Sequence, residues 1–243
     1  MPGGRSLHGV AGELDDAVVV DFPLRGEGWM AVTTPAARIP SHGTDMLGQR
    51  FAFDFVRVDR RRGARFHPAG MLRTNLIGVR AQDCYAWGAS VHAPFDGVVV
   101  RAVDGIRERS WIHPVAEVAR LIRNAWTFTP EKLPRILGNH VVLQTGDTFA
   151  AFVHLAPGSV AVRPEQFVRS GELLGRVGHT GNSTSPHLHF QLMDSLDVMT
   201  ARGIPCAFRE YDVKQEGSWM PIRNGIPGPR QRLRFAGGTG PTT

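Results

Sequence analysis

The segment Ser183-Thr-Ser-Pro-His187-Leu-His189-Phe-Gln-Leu192 places two histidines two residues apart in a run that reads as a β-strand. Side chains of a strand alternate between its faces, so His187 and His189 project from one side, with Cα atoms roughly 6.5–7 Å apart. Leu188 and Phe190 point the other way, into the core behind the strand. Two imidazoles on one face are costly to bury without a partner, and a bound metal or a polar reaction centre supplies one. Zinc in a catalytic site takes three protein ligands from His, Asp or Glu and leaves a fourth position for water. The chain has no His-Glu-x-x-His helix, so its candidates must be isolated residues gathered by a sheet. Asp54 is the foremost carboxylate, because it interrupts an otherwise apolar strand and would be expensive to bury unpaired. The competing reading of Asp54 is a carboxylate bonded to turn amides at a strand end.

The elements that must position these residues are short strands. Ala17–Val20 and Trp29–Thr33 start the series, and Phe51–Val58 alternates with Phe51, Phe53 and Phe55 on one face and Ala52, Asp54 and Val56 on the other. Ser90–Pro94 and Gly97–Val103 flank a turn at Phe95-Asp96-Gly97. Further strands follow at His140–Thr145, Thr148–Leu155, Leu173–Val177, His187–Met193 and Cys206–Val213. Gly146-Asp147 signals a tight hairpin between the first two. One stretch breaks the pattern: Val115, Val118, Ala119, Ile122 and Trp126 fall at helical spacing behind Pro114, which suits a first helical position. Their apolar stripe is expected to be a packing face. Regularly spaced strands with one helix predict a mainly β, antiparallel domain, either sandwich or open barrel, with a small helical insertion at 105–138. Residues 1–16 are expected to be a flexible N-terminus, 17–215 a single domain, and 216–243 a Gly/Pro/Arg-rich tail.

Composition bounds the partners. The chain has 243 residues and a formal net charge of +6, carried almost wholly by arginine, since Lys132 and Lys214 are the only lysines. Such a surface suits anionic partners, but no aromatic-and-basic recognition motif accompanies it, and Arg60-Arg61-Arg62 reads as a solvated loop. Specific nucleic-acid binding is therefore not expected. No apolar run approaches the ~18 residues of a membrane span, and the N-terminus does not resemble a secretory signal. The two cysteines, Cys84 and Cys206, cannot form a thiolate cage, though they could pair if the fold brings them together.

Four blocks in order bear a family likeness. Gly178-His-Thr-Gly-Asn-Ser-Thr-Ser-Pro-His187-Leu-His189-Phe resembles the signature of the lysostaphin-type, or LytM-like, zinc endopeptidases that cut peptidoglycan cross-links. Val91-His-Ala-Pro-Phe-Asp-Gly-Val-Val99, Phe149-Ala-Ala-Phe-Val-His154-Leu155 and Val168-Arg-Ser-Gly-Glu-Leu-Leu-Gly-Arg-Val-Gly178 resemble that family's other strands, so the likeness spans roughly residues 40–195. The resemblance implies a LytM-like fold and one Zn2+ per chain. It makes His189 a zinc ligand, Asp54 the carboxylate ligand, and His187 and His154 the catalytic histidines; spacing alone would leave both members of the pair as ligands. The family places its remaining histidine a few residues before the aspartate. Here the nearest is His42, with eleven residues intervening, and an enlarged loop can still return it because closure costs grow slowly with length. His67 and Asp45 are the reserves.

Other polar residues carry blander expectations. His92 is half-buried, His140 is placed to donate to a ligand or carbonyl, and His179 is expected to face solvent. His8 and His113 lack context, and Tyr85 and Trp87 are expected to pack in the core. The function implied is a zinc-dependent endopeptidase acting on peptidoglycan peptide. The alternatives are a catalytically degenerate relative that binds wall peptide or a protein partner, and an arginine-rich binder of anionic polymer. The resemblance implies the cell envelope or secretion, whereas the N-terminus would leave the chain cytoplasmic.

Overall fold

A computed structural model describes residues 12–59, 65–70, 74 and 76–235. Among the described residues sixteen strands follow in chain order: β1 (Val18–Val20), β2 (Gly26–Thr33), β3 (Phe53–Arg57), β4 (Val79–Arg80), β5 (Ser90–His92), β6 (Gly97–Val103), β7 (Trp111–Ile112), β8 (Asn139–Thr145), β9 (Thr148–Leu155), β10 (Phe167–Val168), β11 (Leu173–Arg176), β12 (Leu188–Met193), β13 (Gly203–Ile204), β14 (Cys206–Gln215), β15 (Ser218–Gly225) and β16 (Arg232–Phe235). The main sheet runs β1-β14-β16-β2-β3-β12-β9-β8-β6-β10, with β13 beside β12 and β15 beside β14. Its ends do not meet, and among the described pairs only β1–β14 is parallel. The domain is thus mainly β, mostly antiparallel and open, as the strand spacing predicts. Two helices interrupt it between β7 and β8: α1 (Pro114–Trp126) and α2 (Leu133–Leu137). Among the described residues no helix is long and apolar enough to cross a membrane.

Alternation decides what each face of the sheet carries. Leu188, Phe190 and Leu192 of β12 enter the main core with Phe53 and Phe55 of β3 and Phe152 of β9. Phe53 and Phe55 stack with centroids 5.4 Å apart, and the Phe208 edge meets both rings. The opposite face carries His189 and Gln191, then a small apolar cluster of Val142, Ala151, Val153, Met193, Val198 and Ala201. The functional strand is therefore buried on both faces, apolar on one and polar toward the other. Gly146 supplies the positive φ (53°) of the two-residue turn joining β8 to β9, with Thr145 opposite Thr148.

Several expectations are corrected. The segment from 216 is not a tail as far as Phe235: β15 pairs with β14, and β16 lies between β14 and β2 with Leu233 fully buried. Its turn is Glu216-Gly217, with both φ positive; Glu-Gly lacks the Asn-Gly or Asp-Gly signature of such turns. Pro221 is tolerated because β15 pairs only with β14 and is an edge strand. Residues 236–243 lie outside the described ones. At the other end, residues 1–11 lie outside them too, while Glu13 accepts from Arg50 Nη2 at 2.6 Å and is anchored rather than free. Cys84 and Cys206 are both free and buried, in separate apolar clusters. Finally, the stripe of α1 is not a packing face: Val115 is 81% and Trp126 88% exposed, while Glu117 on the same helix is 3% exposed.

Candidate metal centre and active site

Register brings the first two candidates together. In the β3–β12 pair Asp54 lies directly opposite His189, so both leave the sheet on one face, with His189 Nδ1 2.9 Å from Asp54 Oδ1. His187 precedes β12 on the same face, and its Nε2 lies 3.4 Å from the same oxygen. His42 arrives from the loop between β2 and β3. That loop folds back through left-handed Leu47 and Gly48, and Ser41 N donates to Arg50 O at 2.8 Å. Arg50 pairs in turn with Glu13 and Asp45. The result is His42 Nε2 3.0 Å from Asp54 Oδ2. The long spacer is thus a pinned excursion that returns the histidine to the carboxylate. Ligand atoms of His42, Asp54 and His189 all lie within 4.8 Å of one another. The reserves lie elsewhere: Asp45 is tied to Arg50 at the surface, and His67 lines a different cavity, with Cys84 and Ile112.

The hydrogen-bond network assigns the protons. Gln191 donates its amide to Leu47 O at 2.8 Å, which turns Oε1 toward His189 Nε2 at 2.9 Å. An amide oxygen only accepts, so His189 carries its proton on Nε2 and leaves Nδ1 bare. Ser41 gives its single hydroxyl proton to Gln49 O at 3.1 Å, so His42 Nδ1–H donates to Ser41 Oγ at 3.1 Å and leaves Nε2 bare. Each bare nitrogen then faces one oxygen of Asp54. Lone pair against lone pair at this distance is repulsive unless a cation lies between them. A His-Asp-His donor set with outer partners that fix the imidazole tautomers is the kind zinc takes; the residues present fit that metal. Thr33 Oγ1 also donates to Asp54 Oδ2 at 2.9 Å. Burial pushes the Asp54 carboxyl up, but the imidazoles of His42 and His187 beside it outweigh it electrostatically. The carboxyl ends well below the usual carboxylate range.

His154 faces the cluster from β9. It has φ of +68°, at a bulge where β9 loses register with β8 between Phe152 and Leu155. A bulge of this kind re-aims a side chain, and the ring lies 5.0 Å from His187 and 6.1 Å from His189, centroid to centroid. Burial, then the neighbouring His187 and His189, push its imidazole well below its ordinary pKa, so it is neutral near pH 7. For His187, burial lowers the pKa and Asp54 more than reverses this, leaving it raised.

These residues floor a cavity of about 420 Å³. Leu47 and Gln49 wall one side, and Leu121, Ile136, Leu137 and Asn182 the other. The second wall comes from α1, α2 and the loop before β12. Backbones meet closely there: a Cβ at Gly181 would lie 2.3 Å from Ile136 O, and Asn182 N donates to that carbonyl at 2.8 Å. His140, 3% exposed, also lines the cavity; its Nδ1 donates to Gly138 O at 2.8 Å. His92 is half-buried, with Nδ1 on Gly171 O at 2.9 Å and away from the site. His179, expected in solvent, is fully buried.

Sequence reasoning missed Gln191, Ser41 and Thr33, and set His179 in solvent. Gln191 had a signal: it continues the two-residue period of His187 and His189 as a polar residue in an apolar run. The others come from segments whose contacts are set only by the closed fold.

Comparison with known proteins adds to this geometry. Residues 126–200 match Peptidase family M23. Over this stretch the chain resembles the M23 peptidases. The matched residues include His154, His187 and His189, whereas His42 and Asp54 precede them. A stretch of 57 residues is 40% identical to peptidoglycan DD-endopeptidase ShyA of Vibrio cholerae serotype O1, covering 23% of this chain and 13% of that protein. The chain thus spans about an eighth of the length of this relative. Among solved structures, the catalytic domain of lysostaphin from Staphylococcus simulans is similar over 50% of this chain and 76% of that one, at 22% identity and a TM-score of 0.30. A zinc-containing peptidase from Vibrio cholerae is similar over 72% of this chain and 37% of that one, at 18% identity and a TM-score of 0.34.

Proposed function

We propose that the chain is a zinc-dependent endopeptidase that hydrolyses peptide bonds in peptidoglycan stem peptides or cross-bridges, one Zn2+ per chain. The observation that carries this reading is that His42 Nε2 and His189 Nδ1 each lie at contact distance from a different oxygen of one half-buried carboxylate, that of Asp54. The M23 match supports the peptidase activity, and the name of the relative ShyA supports the substrate class. Work at the cell envelope follows as part of the same proposal. The degenerate alternative rests on the distance of His42 along the chain and on an N-terminus unlike a secretory signal; the place of His42 beside Asp54 speaks against the first ground.

His42 Nε2, the Asp54 carboxylate and His189 Nδ1 would hold the metal. When bound, zinc supplies a Lewis acid that lowers the pKa of water and polarises the scissile carbonyl. The remaining chemistry belongs to the chain. His154, neutral and facing the cavity, accepts the proton of the attacking water. His187 carries its proton on Nδ1, bonded to Ser185 O at 2.7 Å. Its Nε2 borders the cavity, where, once it has gained a proton, it donates to the negative oxygen of the tetrahedral intermediate. The apolar walls of the groove exclude water from this step.

Metal analysis with release of new amino termini from peptidoglycan tests the reading. His187→Ala is expected to abolish turnover and keep stoichiometric zinc, whereas His189→Ala loses both. Loss of zinc from His187→Ala would overturn this division of roles.

A further inference from the structure

The loop that leads into His187 has a second side, against a cluster the proposed reaction does not use. Arg109, between β6 and β7, meets Glu117 of α1 there, together with His179 and Ser183. Glu117, His179 and Ser183 are 3%, 0% and 1% exposed. The Arg109 guanidinium donates to both Glu117 oxygens, at 3.4 and 3.1 Å, and to the carbonyls of Gly181 and Ser183, at 2.8 and 2.6 Å. Its Nη2 also lies 3.2 Å from His179 Nε2.

One assignment of protons satisfies the whole chain of contacts. A guanidinium only donates, so His179 Nε2 accepts and its proton sits on Nδ1. That Nδ1–H donates to Ser183 Oγ at 3.0 Å. Ser183 has a single hydroxyl proton, given to Ser185 O at 2.6 Å. Its oxygen is left to accept from His187 Nδ1 at 3.2 Å, beside Ser185 O at 2.7 Å. Two acceptors therefore meet His187 Nδ1, which must carry the proton, and Nε2 is presented to the cavity. Without a donor at His179, the Ser183 hydroxyl is free to turn and donate to His187 Nδ1, which stabilises the opposite tautomer.

We propose that His179, set by Arg109 and Glu117, is a positioning residue that selects the tautomer of His187 through the Ser183 hydroxyl. This rests on the hydrolase reading and deepens it, since it makes the helical insertion part of the apparatus that orients a reacting imidazole. Burial favours the neutral form of His179, which that assignment requires.

The test uses the full chain with His179→Asn, His179→Gln and His179→Leu. An asparagine amide nitrogen stands close to the place of Nδ1 and keeps the donor to Ser183, whereas glutamine carries its amide one bond further, toward Arg109. With zinc loaded, His179→Gln and His179→Leu are expected to lower kcat by roughly tenfold to hundredfold, with KM and zinc content unchanged, and His179→Asn to restore most of the loss. Nitrogen-15 NMR of the imidazoles in the metal-free protein reads the tautomer directly: Nδ1–H at His187 in the wild type and in His179→Asn, a mixture in the other two. Equal kcat in all variants, an asparagine variant as impaired as the glutamine one, or a His187 tautomer indifferent to His179 would each overturn the proposal. Should the leucine variant fail to fold, the Asn–Gln pair still decides. If the zinc-loaded wild type releases no termini, the hydrolase reading falls and the tautomer measurement still judges the positioning role.

Discussion

On one flank of the loop from Gly178 to Pro186, β3 and β12 place Asp54 and His189 by strand register and a bulge in β9 turns His154 toward them, with apolar residues behind and polar ones in front. On the other flank α1 reverses that rule, turning Glu117, Arg120 and Asn124 toward the loop and Val115, Val118, Ile122 and Trp126 toward solvent. The sheet flank is held by packing that tolerates many apolar sequences. The helix flank is held by a few directional contacts, each needing its partner: Arg109 and Arg120 on Glu117, and Asn124 Nδ2 on Asn182 Oδ1 at 2.7 Å. A reacting side chain can thus be located by packing and oriented by polar contacts supplied from an unrelated element.

A substitution on the sheet flank has the greatest consequence. Gln191→Leu keeps the volume of that side chain but removes the acceptor for His189 Nε2–H. Zinc affinity, measured by competition with a chelator, is expected to fall by roughly tenfold to hundredfold. Unchanged affinity would mean that register alone, without directed hydrogen bonds, sets the metal ligands. That flank was largely legible beforehand because it obeys the two-residue period: His187, His189, Asp54 and the apolar residues between them follow from alternation alone. His42 was legible only as a candidate, since its return depends on the left-handed turn at Leu47-Gly48 and the Arg50 pairs, which no spacing rule records.

A smaller effect is expected on the helix flank, and it depends on pH. Burial raises the Glu117 carboxyl, but hydrogen bonds from Arg120 and Arg109 bring it down to about 2. A carboxyl whose folded pKa is depressed contributes stability that is fully present above its unfolded value, about 4.5, and is lost as pH falls toward about 2. Glu117→Gln is expected to cost about 2–3 kcal/mol near neutral pH, with the gap to wild type closing between pH 4.5 and 2 in thermal unfolding. A gap that stayed constant across that range would show the charge to be idle. This flank was illegible because helical periodicity locates a stripe without saying which side faces the protein. A buried glutamate with two arginines inverts the usual answer. The same limit hid β15 and β16, whose Arg, Pro and Gly content suggests a tail although Leu233 closes the core.

The least expected effect is the most direct test of that inversion. Val115 is the second residue of α1 and is 81% exposed, so Val115→Ser should change stability by no more than about 0.5 kcal/mol. Were the apolar stripe the buried face, truncating it would leave a cavity and cost about 2–5 kcal/mol for a large side chain. Chemical denaturation of Val115→Ser and Ile122→Ala beside Glu117→Gln orders the two faces by measurement. If the apolar variants lose more than the glutamate variant, α1 is turned the other way in solution. The contacts from Glu117 to Arg109, and through His179 and Ser183 to His187, would then not form. If the order is as the geometry gives it, the helix is held by its charged face, and orientation of the reacting histidine depends on the element least visible in the sequence.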